Sequence, residues 1–354
     1  MHEKSEGNKN LDDSIPIQNR QPQGSVVFYV PIGMPKMAID SAFHNWKPFA
    51  PSSSVSKESQ KNHFDKKFSI SHTKSTSLHR KTTKDNMKNI STRISVEMED
   101  LFLSIKPHEE DLEIRLQVLN RISRVIKSVY KGSKNYLLKD CSVRQFGSTA
   151  NGFSLKKADI DISVFHDDFD GISGKIIEEL GRALSLNGFC ILRMLPWARI
   201  PIVKVKDDLS DISCDVVVNT KLALFNTDLL RTYASIDDRL AKLGLIIKYF
   251  SKKRKINDPF YGTLSSYCYI LMLIHFFQNR PNPILPSLQK LPGCVQTIID
   301  GHNVGFVSDS NCIKKHFKGV NNECLGELLI SFSNITLMNS IIETALSVFE
   351  KVWK

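Results

Sequence analysis

Apolar residues recur at three- and four-residue spacing between Glu110 and Tyr130, at Leu112, Leu116, Leu119, Ile122, Ile126 and Val129. That is the stripe of an amphipathic helix, closed by a turn at Lys131-Gly132-Ser133. The period then shortens. β-Branched runs bounded by turn residues predict strands at Cys141–Phe146, Ala158–Phe165, Ile200–Val205 and Ile212–Val218, with a helix at Ile176–Gly188 between them. After Thr220 broad apolar faces return and predict helices at Leu229–Ser251, Leu264–Gln278 and Leu325–Trp353. No internal repeat is visible. The pattern describes an α+β protein, a small mixed-sheet unit flanked by helical segments.

Before Ser95 no such period exists. Residues 51–94 hold 15 Ser and Thr with Lys and Asn between them, so residues 1–94 are expected to be a disordered tail. The aromatic cluster Phe43-His44-Asn45-Trp46-Lys47-Pro48-Phe49 interrupts it and reads as a transient sticky patch, or as a short docking motif. Charge sharpens the contrast. The net +11 divides into +7 over residues 1–94 and +4 over the rest. A cationic arm suits a polyanion such as RNA; solubility is the plainer alternative.

With 354 residues, 41% of them hydrophobic, the chain can build one large or two modest domains. No run approaches the ~20 apolar residues of a membrane span. No apolar stretch follows a basic start, so no secretory signal is expected. Seven scattered cysteines without a C-x-x-C predict reduced thiols in an intracellular protein. Cys312, His316 and Cys324 lack a fourth ligand at zinc spacing.

The candidate chemistry lies in Phe146-Gly147-Ser148-Thr149-Ala150-Asn151-Gly152, followed by Ala158-Asp159-Ile160-Asp161-Ile162-Ser163-Val164. Side chains alternate across a strand, so Asp159 and Asp161 share one face while Ile160, Ile162 and Val164 face the core. Two adjacent carboxylates repel unless a cation lies between them, and Mg²⁺ is the natural oxygen-seeking choice, with Mn²⁺ able to substitute. Asp215 stands inside the apolar run Ile212–Val218, a costly place for an unpaired carboxylate. Three such carboxylates suit a two-metal site for displacement at phosphorus. The Gly147-Ser148 turn can offer its N–H groups and hydroxyl to phosphate oxygens. The acidic run His166-Asp167-Asp168-Phe169-Asp170 reads as a polar loop.

The Gly-Ser turn and D-I-D strand resemble the catalytic signature of the DNA polymerase β-like nucleotidyltransferases. Cys214–Asn219, Ala223, Phe225-Asn226-Thr227 and Gly262–Tyr267 narrow the likeness to the cytoplasmic terminal uridylyltransferases and poly(A) RNA polymerases, over about residues 96–333. The resemblance implies a five-stranded catalytic domain at 135–221. Beside it stands a helical domain from both chain ends, residues 95–134 and 222–354, with the nucleotide in the cleft. It implies transfer of UMP from UTP, or alternatively AMP from ATP, to an RNA 3′ end; an inactive RNA- or nucleotide-binding relative is the rival. It places Asp159, Asp161 and Asp215 on Mg²⁺, Gly147 and Ser148 on phosphate, Asn219, Ala223 and Thr227 on ribose, and Asn226 near the base. Lys248 and Lys252 match the triphosphate lysines, while Lys253 and Lys255 read as a solvated face. Ser266 matches a phosphate contact and Tyr267 the aromatic that stacks on the base. Arg199 and Lys204 match a strand near RNA. Thr220 replaces the family's second Asn. After Phe332 the family continues into a base-reading loop, whereas Asn334–Lys354 reads as a generic amphipathic helix, so modest base discrimination is expected. A cytoplasmic location, the nucleus being the alternative, and no membrane partner complete the expectation.

Overall fold

A computed structural model of the chain describes residues 75–132, 141–166 and 172–338. The aromatic cluster at 43–49, most of the acidic run after His166 and the end of the last expected helix lie outside the described residues.

The sheet has five strands: β1 (Ser142–Phe146), β2 (Ile160–Phe165), β3 (Phe189–Leu195), β4 (Ile202–Asp207) and β5 (Ser213–Val218). Their order is β1-β2-β5-β4-β3, with β2 and β5 parallel and every other pair antiparallel. β3 is absent from the strand signal, since Phe189-Cys190-Ile191-Leu192-Arg193-Met194-Leu195 contains one β-branched residue and no clean alternation. As an edge strand it carries an irregularity between Ile191 and Arg193.

Alternation assigns the two faces. Ile160, Ile162, Val164, Val203, Val205, Cys214, Val216 and Val218 pack into one core with α2 (Glu109–Gly132) and α4 (Ser173–Ser185). The opposite face presents Asp161, Lys204 and Asp215 beside a smaller cluster of Phe146, Ile202, Val217 and Ala223.

The first long helix, α1 (Ser75–Ile105), begins well before Ser95, so residues 75–94 correct the expected tail. Its Ser and Thr hydroxyls fold back on the helix: Ser91 Oγ and Thr92 Oγ1 donate to Lys88 O, and Ser95 Oγ donates to Ser91 O. Small side chains then let a second helix approach. Gly326 of α9 (Leu325–Met338) lies against the Ser91 backbone and donates its N–H to Ser95 Oγ at 2.8 Å.

Two further expectations shift. The expected stripe of α2 holds at Leu119, Ile122 and Ile126 but not at its start. Val118, Ile122 and Ile126 are buried with Arg115, whereas Leu112 and Leu116 are exposed. Consequently α2 packs under the sheet, while α1 alone of the two joins the helical layer. The single helix expected at Leu229–Ser251 is two, α5 (Lys221–Ile236) and α6 (Asp238–Lys253). Asp237, extended at φ −145°, separates them and caps α6 by accepting from Arg239 N. With α7 (Ser266–Gln278), α8 (Ser310–His316) and α9 they enclose a large apolar core around Tyr233, Leu243, Leu273 and Phe277. A two-stranded ribbon, β6 (Ile298–Ile299) with β7 (His302–Asn303), precedes α8.

Candidate active site

Strand register brings the carboxylates together. Asp161 in β2 lies directly across from Asp215 in the parallel β5, and from Phe146 in β1. Asp159 immediately precedes β2 and is exposed. Burial, then the charges of Asp215 and Asp159, push the Asp161 carboxyl up to about 7, with Lys248 and Lys204 opposing. Burial also raises Asp215, although Lys204 pulls it back. Lys204 is the register partner of Asp215 in β4, and its Nζ pairs with Asp215 Oδ2. Lys204, which the resemblance matches to a strand near RNA, thus lies at the acidic centre. Arg199 lies apart, exposed in the turn between β3 and β4.

The turn after β1 reaches the same point. Gly147 adopts φ +72° and ψ −155° as the chain passes into α3 (Ser148–Asn151), which ends at Gly152 with φ +89°. A Cβ on Gly147 would come within 2.8 Å of Asp161 Cγ and overlap its carboxylate. The turn is held from α5: Gly147 N donates to Thr227 Oγ1 at 2.9 Å, and that hydroxyl donates to Ala223 O at 2.7 Å. Asn219 likewise binds the protein itself, accepting from His166 N and donating to His166 O. Through these bonds the polar groups of Thr227 and Asn219, both expected at the ribose, position the Gly147 turn and the end of β2. On α5, Ala223 is buried against Phe146, Ile202 and Val217, and Asn226 is half-buried.

The helical layer supplies cations and the aromatic. Lys248 of α6 is buried, and its Nζ donates to Phe153 O at 2.9 Å. Burial, then Lys252, bring its ammonium down to about 8, against the pull of Asp161 and Asp159. Lys252, one turn on, is exposed. Ser266, at the start of α7, exchanges hydrogen bonds with Asn257, and Tyr267 is half-buried against the helical core. A cavity of about 260 Å³ opens beside Asn226, lined by Phe225, Asp228, Arg231 and Phe306 among others; none of the three aspartates lines it.

Sequence reasoning missed Arg115. Its guanidinium is buried and donates to Ser154 Oγ, Leu155 O and Lys156 O, clamping the segment between the Gly147 turn and Asp159. The one available signal was an arginine three residues before Val118, on the face that turned out to be buried. Arg115→Ala should lower stability by about 3 kcal/mol, because it strands buried acceptors. Urea unfolding of the two proteins checks this; an unchanged midpoint would show the clamp to be dispensable.

The donor set fits a hard divalent cation. Asp161 and Asp215 are adjacent oxygen donors on one face, and the raised Asp161 carboxyl marks an unmet need for positive charge. Among the described residues no three His, Cys, Asp or Glu side chains already close on one point; Asp215 is instead engaged by Lys204.

The family model described as "Poly(A) RNA polymerase, mitochondrial-like, central palm domain" matches residues 94–235. The chain is 34% identical over 242 residues to Poly(A) RNA polymerase cid13 of Schizosaccharomyces pombe, covering 68% of this chain and 40% of that one. It is also 34% identical over 237 residues to human (Homo sapiens) Terminal uridylyltransferase 4, covering 64% of this chain and 14% of that one. It therefore spans only part of the length of these curated relatives. Among solved structures, the Cid1 poly(U) polymerase with Mg and 3′-dATP bound superposes with a TM-score of 0.61 at 30% identity, covering 69% of this chain and 73% of that one. Matched at this identity over this share of a solved structure, the chain belongs to the poly(A) RNA polymerase and terminal uridylyltransferase family of nucleotidyltransferases.

Proposed function

We propose that the chain is a template-independent RNA 3′-terminal nucleotidyltransferase. It adds UMP from UTP, with AMP from ATP as the alternative, since the relatives carry both names. The observation that carries the reading is the side-by-side pair Asp161 and Asp215, raised by burial and bracketed by Gly147 and Lys204.

In this reading Asp159, Asp161 and Asp215 hold Mg²⁺, which supplies charge neutralisation at the phosphates when bound. The RNA 3′-hydroxyl oxygen bonds to the α-phosphorus as the bond to pyrophosphate breaks. Asp215 accepts the hydroxyl proton as that bond forms. The Gly147 turn brings the Ser148 hydroxyl to the phosphates, and the cations of Lys248 and Lys252 steady the triphosphate. Tyr267 stacks on the base, a contact that any base can make, and Asn226 supplies a hydrogen bond to its edge. Seven free cysteines support an intracellular setting. Among the described residues no helix is long and apolar enough to cross a membrane.

Purified protein, labelled RNA and each nucleoside triphosphate singly form the test. The expected result is a ladder of extended RNA with UTP or ATP and release of pyrophosphate, abolished by chelation of divalent cations. No extension with any nucleotide overturns the reading. A ladder with ATP and none with UTP selects the alternative product.

A further inference from the structure

We propose that the end of α6 and the turn after it, Phe250 with Lys253, Arg254 and Lys255, form a second binding surface that holds the body of a single-stranded RNA. This rests on the transferase reading and adds an attachment point outside the reacting centre.

Lys252, Lys253, Arg254 and Lys255 are all exposed, and none is ion-paired to a carboxylate among the described residues. Their neighbours in the same helical layer differ: Arg239, Lys242 and Arg280 are each bound to acidic side chains. A helix C-terminus favours a cation or two, which accounts for Lys252 and Lys253. It does not account for Lys255. That residue holds φ +56°, where glycine is favoured, while its N–H bonds Lys252 O and the next N–H bonds Ser251 O to end the helix. A strained lysine at a glycine position indicates a use for the charge.

Aromatic surface lies among these cations. Phe250 is 53% exposed with the Arg254 guanidinium 5.4 Å above its ring, and Lys253 Nζ lies 5.5 Å from the Tyr249 ring. Tyr261, six residues beyond Lys255, is 78% exposed. Unneutralised cations beside exposed rings address a phosphate backbone and unpaired bases together, without regard to sequence. The surface is also continuous with the reaction. Lys252 stands one turn beyond the buried Lys248 on α6 and Lys253, Arg254 and Lys255 follow it, so the cationic row leads outward from Lys248 along the helix.

The test is fluorescence anisotropy of the full chain with a labelled single-stranded RNA of about 20 nucleotides across a salt series. Lys252 is left intact because it is assigned to the triphosphate. Lys255→Gly keeps the helix end in an unstrained form, so its Tm should hold or rise while RNA affinity falls about threefold. Combining Lys253→Ser, Arg254→Ser and Lys255→Gly should reduce affinity at least tenfold and flatten the log–log salt slope by about 2. Phe250→Leu should weaken binding severalfold with no change in slope, since stacking carries no charge. The KM for the nucleotide on a short primer should not move.

Variants that bind RNA as the wild type does, in a protein that still extends RNA, overturn this surface alone. A wild type that neither binds nor extends RNA overturns it together with the transferase reading. Competition by poly-glutamate as effective as that by RNA, with Phe250→Leu silent, overturns it in favour of an acidic protein partner.

Discussion

Asp161→Asn will reduce kcat by about three orders of magnitude, some 4 kcal/mol of lost transition-state stabilisation, because an amide replaces one of two adjacent anionic oxygen donors. Asp215→Asn will do the same and also remove the proton acceptor. Stability should move the other way. In the folded protein without divalent cation the Asp161 carboxyl titrates at about 7, against an ordinary value of about 3.9 in the unfolded chain. Between those values the folded state binds the additional proton. Stability therefore falls as pH rises from about 4 to about 7, and levels off above. Asp161→Asn abolishes that slope and leaves the protein at least as stable as wild type at neutral pH. Extension assays give the first quantity and thermal melts across the pH range the second. A folded Asp161→Asn protein that extends RNA at the wild-type rate would refute the assignment.

Gly147→Ala should rank next. The residue sits at φ +72°, where alanine is strained by about 1 kcal/mol. Its Cβ would in addition overlap the Asp161 carboxylate, and carboxylate and turn cannot both keep their places. The turn cannot simply retreat, since Gly147 N is bonded to Thr227 Oγ1 on α5. Activity is expected to fall at least a hundredfold, with a loss of about 2–3 kcal/mol in stability. Thr227→Val, which removes only the holding bond, should give a smaller loss of activity of about tenfold. Equal rates for Gly147→Ala and wild type would show that the close approach is incidental.

The carboxylates are legible in the sequence because strand periodicity is local. Alternation alone puts Asp159 and Asp161 on one face of a strand whose other face is Ile160, Ile162 and Val164, and Asp215 is conspicuous in an apolar run. That the two strands are parallel neighbours, with Asp161 opposite Asp215, is a matter of sheet order, and no local pattern carries it. The same division explains the misreadings. Phe189–Leu195 lacks a two-residue period because its pairing with β4 is irregular between Ile191 and Arg193, which breaks the alternation of its faces. Residues 75–94 look disordered by composition, yet Ser91, Ser95 and Gly326 are small residues that allow two helices to touch. In α2 the second half of the expected stripe holds, while at its start burial passes from Leu112 and Leu116 to Arg115 and Val118 through what these meet in the tertiary fold.

Sequence by itself determined the fold class, the order of strands and helices through most of the described chain, and the three aspartates, because each rests on residue type and short-range period. Only the tertiary structure decided which polar groups meet one another. Thr227, Asn219 and Ser266 hydrogen-bond in the fold with Gly147, His166 and Asn257. Register delivers Lys204 to Asp215. A side chain's donors and acceptors are claimed by whatever the fold brings within about 3 Å, and residues 39 to 80 positions apart in the chain, such as Arg115 with Ser154 and Gly147 with Thr227, meet only when the whole chain has folded.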